Sequence, residues 1–129
     1  MDKKSSSADR KFDHGTVIGI PSTDDNGDVL SKALVGSYVI IPKSLSFTPF
    51  DLTQQEWLDT ITLMHEIKAY LDKKYKPDGY NIGWNVGSVA GQTVPHVHMH
   101  IIPRHNDEPY AGRGIRSWIK RDENMRPGS

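Results

Sequence analysis

His96-Val97-His98-Met99-His100-Ile101-Ile102 sets three histidines at alternate positions in a short apolar run. Such alternation puts residues i, i+2 and i+4 on one face of a β-strand. The three imidazoles then follow one another at roughly 6–7 Å, while Val97, Met99 and Ile101 face the other way, into a core. A single histidine on a strand is ordinarily a surface or hydrogen-bonded packing residue. Three in register, after Gly91-Gln92-Thr93-Val94 and before Pro103-Arg104, predict the handling of a phosphate, a proton or a metal ion.

Working outward, Val94 to Ile102 reads as one strand and Tyr80 to Val86 as its antiparallel partner. The loop Gly87-Ser88-Val89-Ala90-Gly91-Gln92-Thr93 is short enough to join them as a hairpin. Asp51 to Lys76 is the one long helix. Thr53 and Glu56 have capping-box spacing. Trp57, Ile61, Met64 and Leu71, with Leu58 and Ile67, form an apolar stripe read as core contact. Lys73, Lys74 and Lys76 suit an exposed C-terminal helix end, and Pro77-Asp78-Gly79 stops the helix. Further strands are expected at Thr16–Ile20, Val29–Leu34 and Tyr38–Pro42. Residues 1–14 read as a disordered tail, 15–121 as a single domain and 122–129 as a frayed tail. Several antiparallel strands with one main helix predict an α+β fold.

The chain has 129 residues, the size of one domain. It has no cysteine, which excludes disulfides, thiolate metal sites and cysteine nucleophiles. Sixteen basic residues balance sixteen acidic ones, so the basic excess of a nucleic-acid binder is missing. No apolar stretch reaches the length of a membrane span, and Met1–Ser7 is followed by no apolar signal region. The expectation is a cytoplasmic protein that partners neither nucleic acid nor membrane.

In phosphoryl chemistry a neutral imidazole is a competent nucleophile whose pKa sits near working pH. Its attacking nitrogen must be bare and aimed, so the other ring nitrogen needs a hydrogen-bond acceptor; a backbone carbonyl on the same strand suffices. The central His98 is then the natural nucleophile, with His96 and His100 as supports. Small residues in the Gly87–Gly91 loop allow close approach of an anion, and Asn85, Gln92 and Thr93 offer neutral donors. Arg113, between glycines, is a candidate for a polyphosphate. A metal site is the alternative for the triad, but the first and third Cβ of one straight strand lie roughly 13 Å apart. No metal is assigned.

The run His-φ-His-φ-His-φ-φ (φ apolar) resembles the signature of the histidine-triad (HIT) superfamily. The likeness continues through Asn85-x-Gly87, Ala90-Gly91-Gln92-Thr93-Val94 and Pro103-Arg104. It covers residues 35 to 120, and Gly112–Ile119 is similar to the C-terminal segment of small bacterial members. The resemblance implies a five-stranded antiparallel sheet with one main helix, commonly in a homodimer. It also implies hydrolysis or transfer at an α-phosphate through a nucleotidyl-histidine intermediate on His98. The His96 carbonyl would orient that ring, His100 would contact phosphate or leaving group, and Asn85, Gln92 and Thr93 would donate to phosphate. A third histidine, rather than glutamine, points to the hydrolase branches, and the flanking residues look like dinucleoside polyphosphate hydrolases of the diadenosine tetraphosphate type. Nucleoside phosphoramidate hydrolysis, or nucleotide sensing with little activity, are the alternatives. No cofactor is implied beyond Mg2+ as a counter-ion of the nucleotide. One departure stands out: many members carry a further histidine around the strand ending in apolar-Pro-Lys, where this chain reads Gly36-Ser37-Tyr38 and Lys43-Ser44-Leu45. Asp24, Asp25 and Asp28 are the acidic candidates for ribose.

Overall fold

The computed structural model describes residues 9–22 and 34–128. Five strands make one antiparallel sheet: β1 (Phe12–His14), β2 (Val17–Pro21), β3 (Tyr38–Pro42), β4 (Gly79–Gly83) and β5 (Met99–Arg104). Their order is β1-β2-β3-β5-β4, which leaves β4 at one edge. Helix α1 (Gln54–Tyr75) packs against β1, β2 and β3. The expected α+β architecture is therefore present. The strand expected at Val29–Leu34 lies, except for Leu34, outside the described residues, as do Asp24, Asp25 and Asp28.

α1 begins as its sequence predicts. The Thr53 hydroxyl accepts from Glu56 N at 3.1 Å, and Glu56 Oε1 accepts from Thr53 N at 2.8 Å. The helix ends at Lys76, which adopts the left-handed conformation before Pro77. Its core face differs from the expected stripe. Leu63, Ile67 and Leu71 are fully buried, whereas Trp57, Leu58 and Ile61 are 36%, 51% and 46% exposed. The helix thus carries two apolar stripes, offset around its axis, and the sheet covers only one. Gly19 brings that stripe close: a Cβ there would lie 2.7 Å from Ile67 Cδ1. Each of these buried aliphatic side chains contributes about 1.5–3 kcal/mol.

Phe12 corrects the expected tail over residues 9–14; residues 1–8 of it lie outside the described residues. It is 3% exposed and stands edge-on to Tyr38 and Tyr70, with ring centroids 5.7 and 5.5 Å away. Asp9, just before it, accepts hydrogen bonds from Tyr70, Tyr75 and Lys74, so Lys74 is not simply an exposed helix end. One buried aromatic ring in a polar stretch leaves no periodic signal in a sequence, which is why this strand was not legible there.

The β3–β5 ladder sets where the triad lies. It pairs Tyr38 with Ile101, Val39 with His100 and Ile40 with Met99. Continued by two residues it would oppose Val97 to Pro42, which has no N–H to give. The ladder stops there, and β5 begins at Met99 rather than Val94. Its partner β4 likewise ends at Gly83, opposite His100, rather than at Val86. The expected antiparallel hairpin of β4 and β5 is present, but its connection is longer than residues 87–93 and carries a short 3-10 turn at Ser88–Ala90.

Candidate active site

Although only His100 lies in β5, the alternation holds through all three histidines. Val97, Met99 and Ile101 are 3%, 2% and 1% exposed, facing the core, while His96, His98 and His100 are half-buried on the opposite face from α1. Ring centroids are 6.0 Å apart for His96–His98 and 6.4 Å for His98–His100. The first pair is perpendicular, at 89°, and the second nearly parallel, at 20°.

His98 Nδ1 lies 2.5 Å from the carbonyl oxygen of His96. A carbonyl can only accept, so Nδ1 carries the proton and Nε2 of the neutral ring is bare. His96 Nε2 lies 3.2 Å from the Pro42 carbonyl and must likewise be protonated. Its Nδ1 is buried with no hydrogen-bond partner among the described residues. His100 is held below the ordinary histidine range, first by burial and then by repulsion from His98. Both effects disfavour its protonated form.

His100 opens onto a cleft of about 210 Å³ that also contains Asn81, Gly83, Trp84, Asn85, Ile102 and Ile115. Asn85 is thus beside the triad, and it makes no hydrogen bond to any described residue. Thr93 lines a second concavity of about 300 Å³ with Phe47, Ser88 and Gln92. Gln92 is more heavily engaged than expected. Its Oε1 accepts from Gly87 N at 2.8 Å, and its Nε2 donates to Phe47 O at 2.8 Å and Val94 O at 3.1 Å. Both amide protons are thus committed, and Gln92 braces the loop rather than offering a free donor.

Arg113 is not brought to the triad. Its guanidinium lies over the Tyr110 ring, 4.5 Å from the centroid, and it lines neither concavity. The neighbouring Arg104 is a hub instead. It binds Glu108 through Nε and Nη2 at 2.8 and 2.6 Å, the Asn81 side chain, and the carbonyls of Tyr110 and Arg113. This bonding folds the segment after β5 back toward β4 and places Ile115 over Gly83. Among the described residues, no group of three or more His, Cys, Asp or Glu side chains is arranged to hold a metal ion. No helix there is long and apolar enough to cross a membrane.

In the sequence, Lys43-Ser44-Leu45 stands out only for its lack of a histidine, whereas the structure gives the stretch 42–47 a holding role. Three of its carbonyls, from Pro42, Ser46 and Phe47, accept bonds from His96, Val97 and Gln92. The one sequence signal was Pro42, whose missing N–H ends the ladder.

A family profile described as "HIT domain" matches residues 35–107, more than half of the chain. The bis(5'-nucleosyl)-tetraphosphatase (asymmetrical) of Schizosaccharomyces pombe is 40% identical over 75 residues, covering 58% of this chain and 41% of that protein. A bis(5'-adenosyl)-triphosphatase of Dictyostelium discoideum is 34% identical over 87 residues, covering 63% of this chain and 58% of its own length. The chain therefore spans roughly half the length of these relatives. Among solved structures, a HIT family protein of Bacillus anthracis superposes with a TM-score of 0.64 at 27% identity, covering 74% of this chain and 63% of that one. A HIT family member from Bacillus subtilis gives the same TM-score and identity over 78% of this chain and 66% of that one. On the extent of the profile match, this chain belongs to the HIT family.

Proposed function

We propose that this protein hydrolyses dinucleoside polyphosphates by covalent catalysis on His98. The observation that carries the reading is the 2.5 Å contact of His98 Nδ1 with the His96 carbonyl, which leaves Nε2 bare. The names of the S. pombe and D. discoideum relatives support the substrate class.

In this reaction the Nε2 lone pair attacks the α-phosphorus, and the bridging P–O bond breaks toward the departing nucleotide. The ring becomes a nucleotidyl-imidazolium whose Nδ1–H stays on the His96 carbonyl, which stabilises the new positive charge. Water then attacks the same phosphorus, the P–N bond breaks and the pair returns to Nε2. The water proton leaves with the products or passes to solvent. His100, in its neutral form with one N–H to give, contacts a phosphate oxygen, and Asn85 in the same cleft supplies a further donor; Thr93, which lines the second concavity, is not assigned to this phosphate. Mg2+ enters as counter-ion of the polyphosphate.

A different surface supports a homodimer. Among the described residues, Trp57, Leu58 and Ile61 form an uncovered apolar helix face, Trp84 stands edge-on to Trp57 at 5.6 Å, and the adjacent β4 edge is unpaired. A second copy of this chain covers both features at once.

Turnover assays test the function. Wild type and His98→Ala are each given diadenosine tetraphosphate and an adenosine phosphoramidate. Release of AMP by wild type, with preference for the first compound and loss in the variant, is the expected result. Full activity without His98 removes the proposal, and preference for the second compound moves the protein to phosphoramidate hydrolysis.

A further inference from the structure

We propose that Ser44 and Glu56 are positioning residues of the histidine site, tying the start of α1 to the segment that holds His96. The inference rests on the reading of His98 as nucleophile.

Because the β3–β5 ladder stops at Met99, the sheet does not fix His96 to His98. They are fixed by residues 42–47. Pro42 O accepts from His96 Nε2 at 3.2 Å, Ser46 O accepts from Val97 N at 2.8 Å, and Phe47 O accepts from Gln92 Nε2 at 2.8 Å. Residues 43–47 belong to neither helix nor strand; Lys43 N donates to Thr16 O at 2.8 Å, and the residues after it are tied by a side chain. The Ser44 hydroxyl donates to Glu56 Oε2 at 2.7 Å.

Glu56 suits this use. It is 5% exposed and lies in the first turn of α1. Its Oε1 completes the capping box with Thr53 N, which occupies only one carboxylate oxygen. The second oxygen is then a buried charge that needs a partner, and a hydroxyl-to-carboxylate bond is among the stronger hydrogen bonds available. The path runs from the anchored helix start through Ser44 to the Pro42 and Ser46 carbonyls, and on to the His96 carbonyl that aims His98. It passes through Lys43-Ser44-Leu45, of which Leu45 is 71% exposed and takes no part.

The test compares Ser44→Ala, Ser44→Thr and Asp72→Asn with wild type. Asp72, near the far end of α1, bonds Lys68 and Tyr80 and serves as a control for lost helix stability. Diadenosine tetraphosphate turnover and the NMR resonance of the His98 Nδ1 proton are both read. Ser44→Ala is expected to lower kcat about tenfold, short of the roughly 100-fold cost of a full 1 Å misplacement. Its KM stays within about twofold of wild type, and the His98 resonance moves. Ser44→Thr restores both. Asp72→Asn lowers Tm and leaves kcat and the resonance in place. If Ser44→Ala does not fold, Ser44→Val, which keeps the shape of Thr but has no hydroxyl to donate to Glu56, carries the same expectation. Unchanged kcat and resonance in Ser44→Ala overturn the proposal, as does an equal loss in Asp72→Asn. A wild type inactive on every nucleotide offered defeats the functional reading instead, and the His98 resonance then still decides the positioning.

Discussion

The carbonyl oxygen of His96 lies 2.5 Å from Nδ1 of His98, two residues further along the same chain. The first histidine therefore acts on the second through its backbone, while its own ring is turned to the Pro42 carbonyl. The two parts of His96 have separable roles: any residue at 96 supplies the carbonyl, but only a ring donor reaches Pro42.

That separation predicts unequal effects of substitution. His96→Ala keeps the orienting carbonyl and loses its anchor, so kcat should fall about 10- to 100-fold. His98→Ala removes the proposed nucleophile and should cost about 10⁴-fold or more. Steady-state kinetics on diadenosine tetraphosphate measure both. Equal losses at the two positions would show that the His96 ring takes part in the chemistry.

Gly15 should tolerate no side chain. It turns the chain between β1 and β2 at φ +55°, and a Cβ there would fall on the Asp59 carboxylate, 2.8 Å from its Cγ. Asp59 is buried and accepts from Thr16 N at 2.8 Å, Thr16 Oγ1 at 2.7 Å and Gln55 Nε2 at 2.9 Å. Gly15→Ala should destabilise the fold by about 1–3 kcal/mol, read by urea denaturation. A midpoint equal to wild type would contradict this.

His100 makes stability depend on pH in the weakly acidic range. Its folded-state pKa is depressed, so the unfolded chain binds its proton first as pH falls. Stability should drop as pH goes below the ordinary histidine range and level off once pH passes the depressed folded value. His100→Gln should flatten that part of the stability profile. Nucleotide binding places negative charge beside the ring and raises its pKa, so binding at mildly acidic pH should take up protons. Calorimetry in buffers of different ionisation enthalpy reads this directly, and a binding enthalpy independent of buffer would contradict it.

The uncovered face of α1 predicts assembly. The chain has a mass of 14.5 kDa, and light scattering should find about twice that for wild type. Replacing Trp57 and Ile61, both exposed, with Glu and Asp should give a folded monomer, because neither belongs to the core beneath α1. A wild type already monomeric at high concentration would remove the dimer from the proposal.

What the sequence revealed follows from how local each signal is. The alternation of His96, His98 and His100 with Val97, Met99 and Ile101 needs only a two-residue period, and the structure keeps it even where the ladder has ended. The Thr53–Glu56 cap is a four-residue pattern and was equally legible. The division of α1 into a covered stripe at Leu63, Ile67 and Leu71 and an open one at Trp57, Leu58 and Ile61 was not, because both are apolar and only the position of the sheet distinguishes them. Gln92 reads in isolation as a free amide; the carbonyls of Phe47 and Val94 that occupy it come from the folded loop. Arg104 is hidden in the same way, since Asn81 reaches it only after β4 and β5 pair, and the carbonyls of Tyr110 and Arg113 only once the chain after β5 folds back.

Intact-protein mass spectrometry of a rapidly quenched reaction tests the central claim most directly. Wild type and His98→Ala would each be mixed with diadenosine tetraphosphate and stopped at alkaline pH, where a phosphorus–imidazole bond survives. A transient mass increase of one adenylyl group on wild type, absent from the variant and mapped to His98, is the predicted result. AMP formation with no adduct at any time, or an adduct that persists in His98→Ala, would contradict covalent catalysis on this residue.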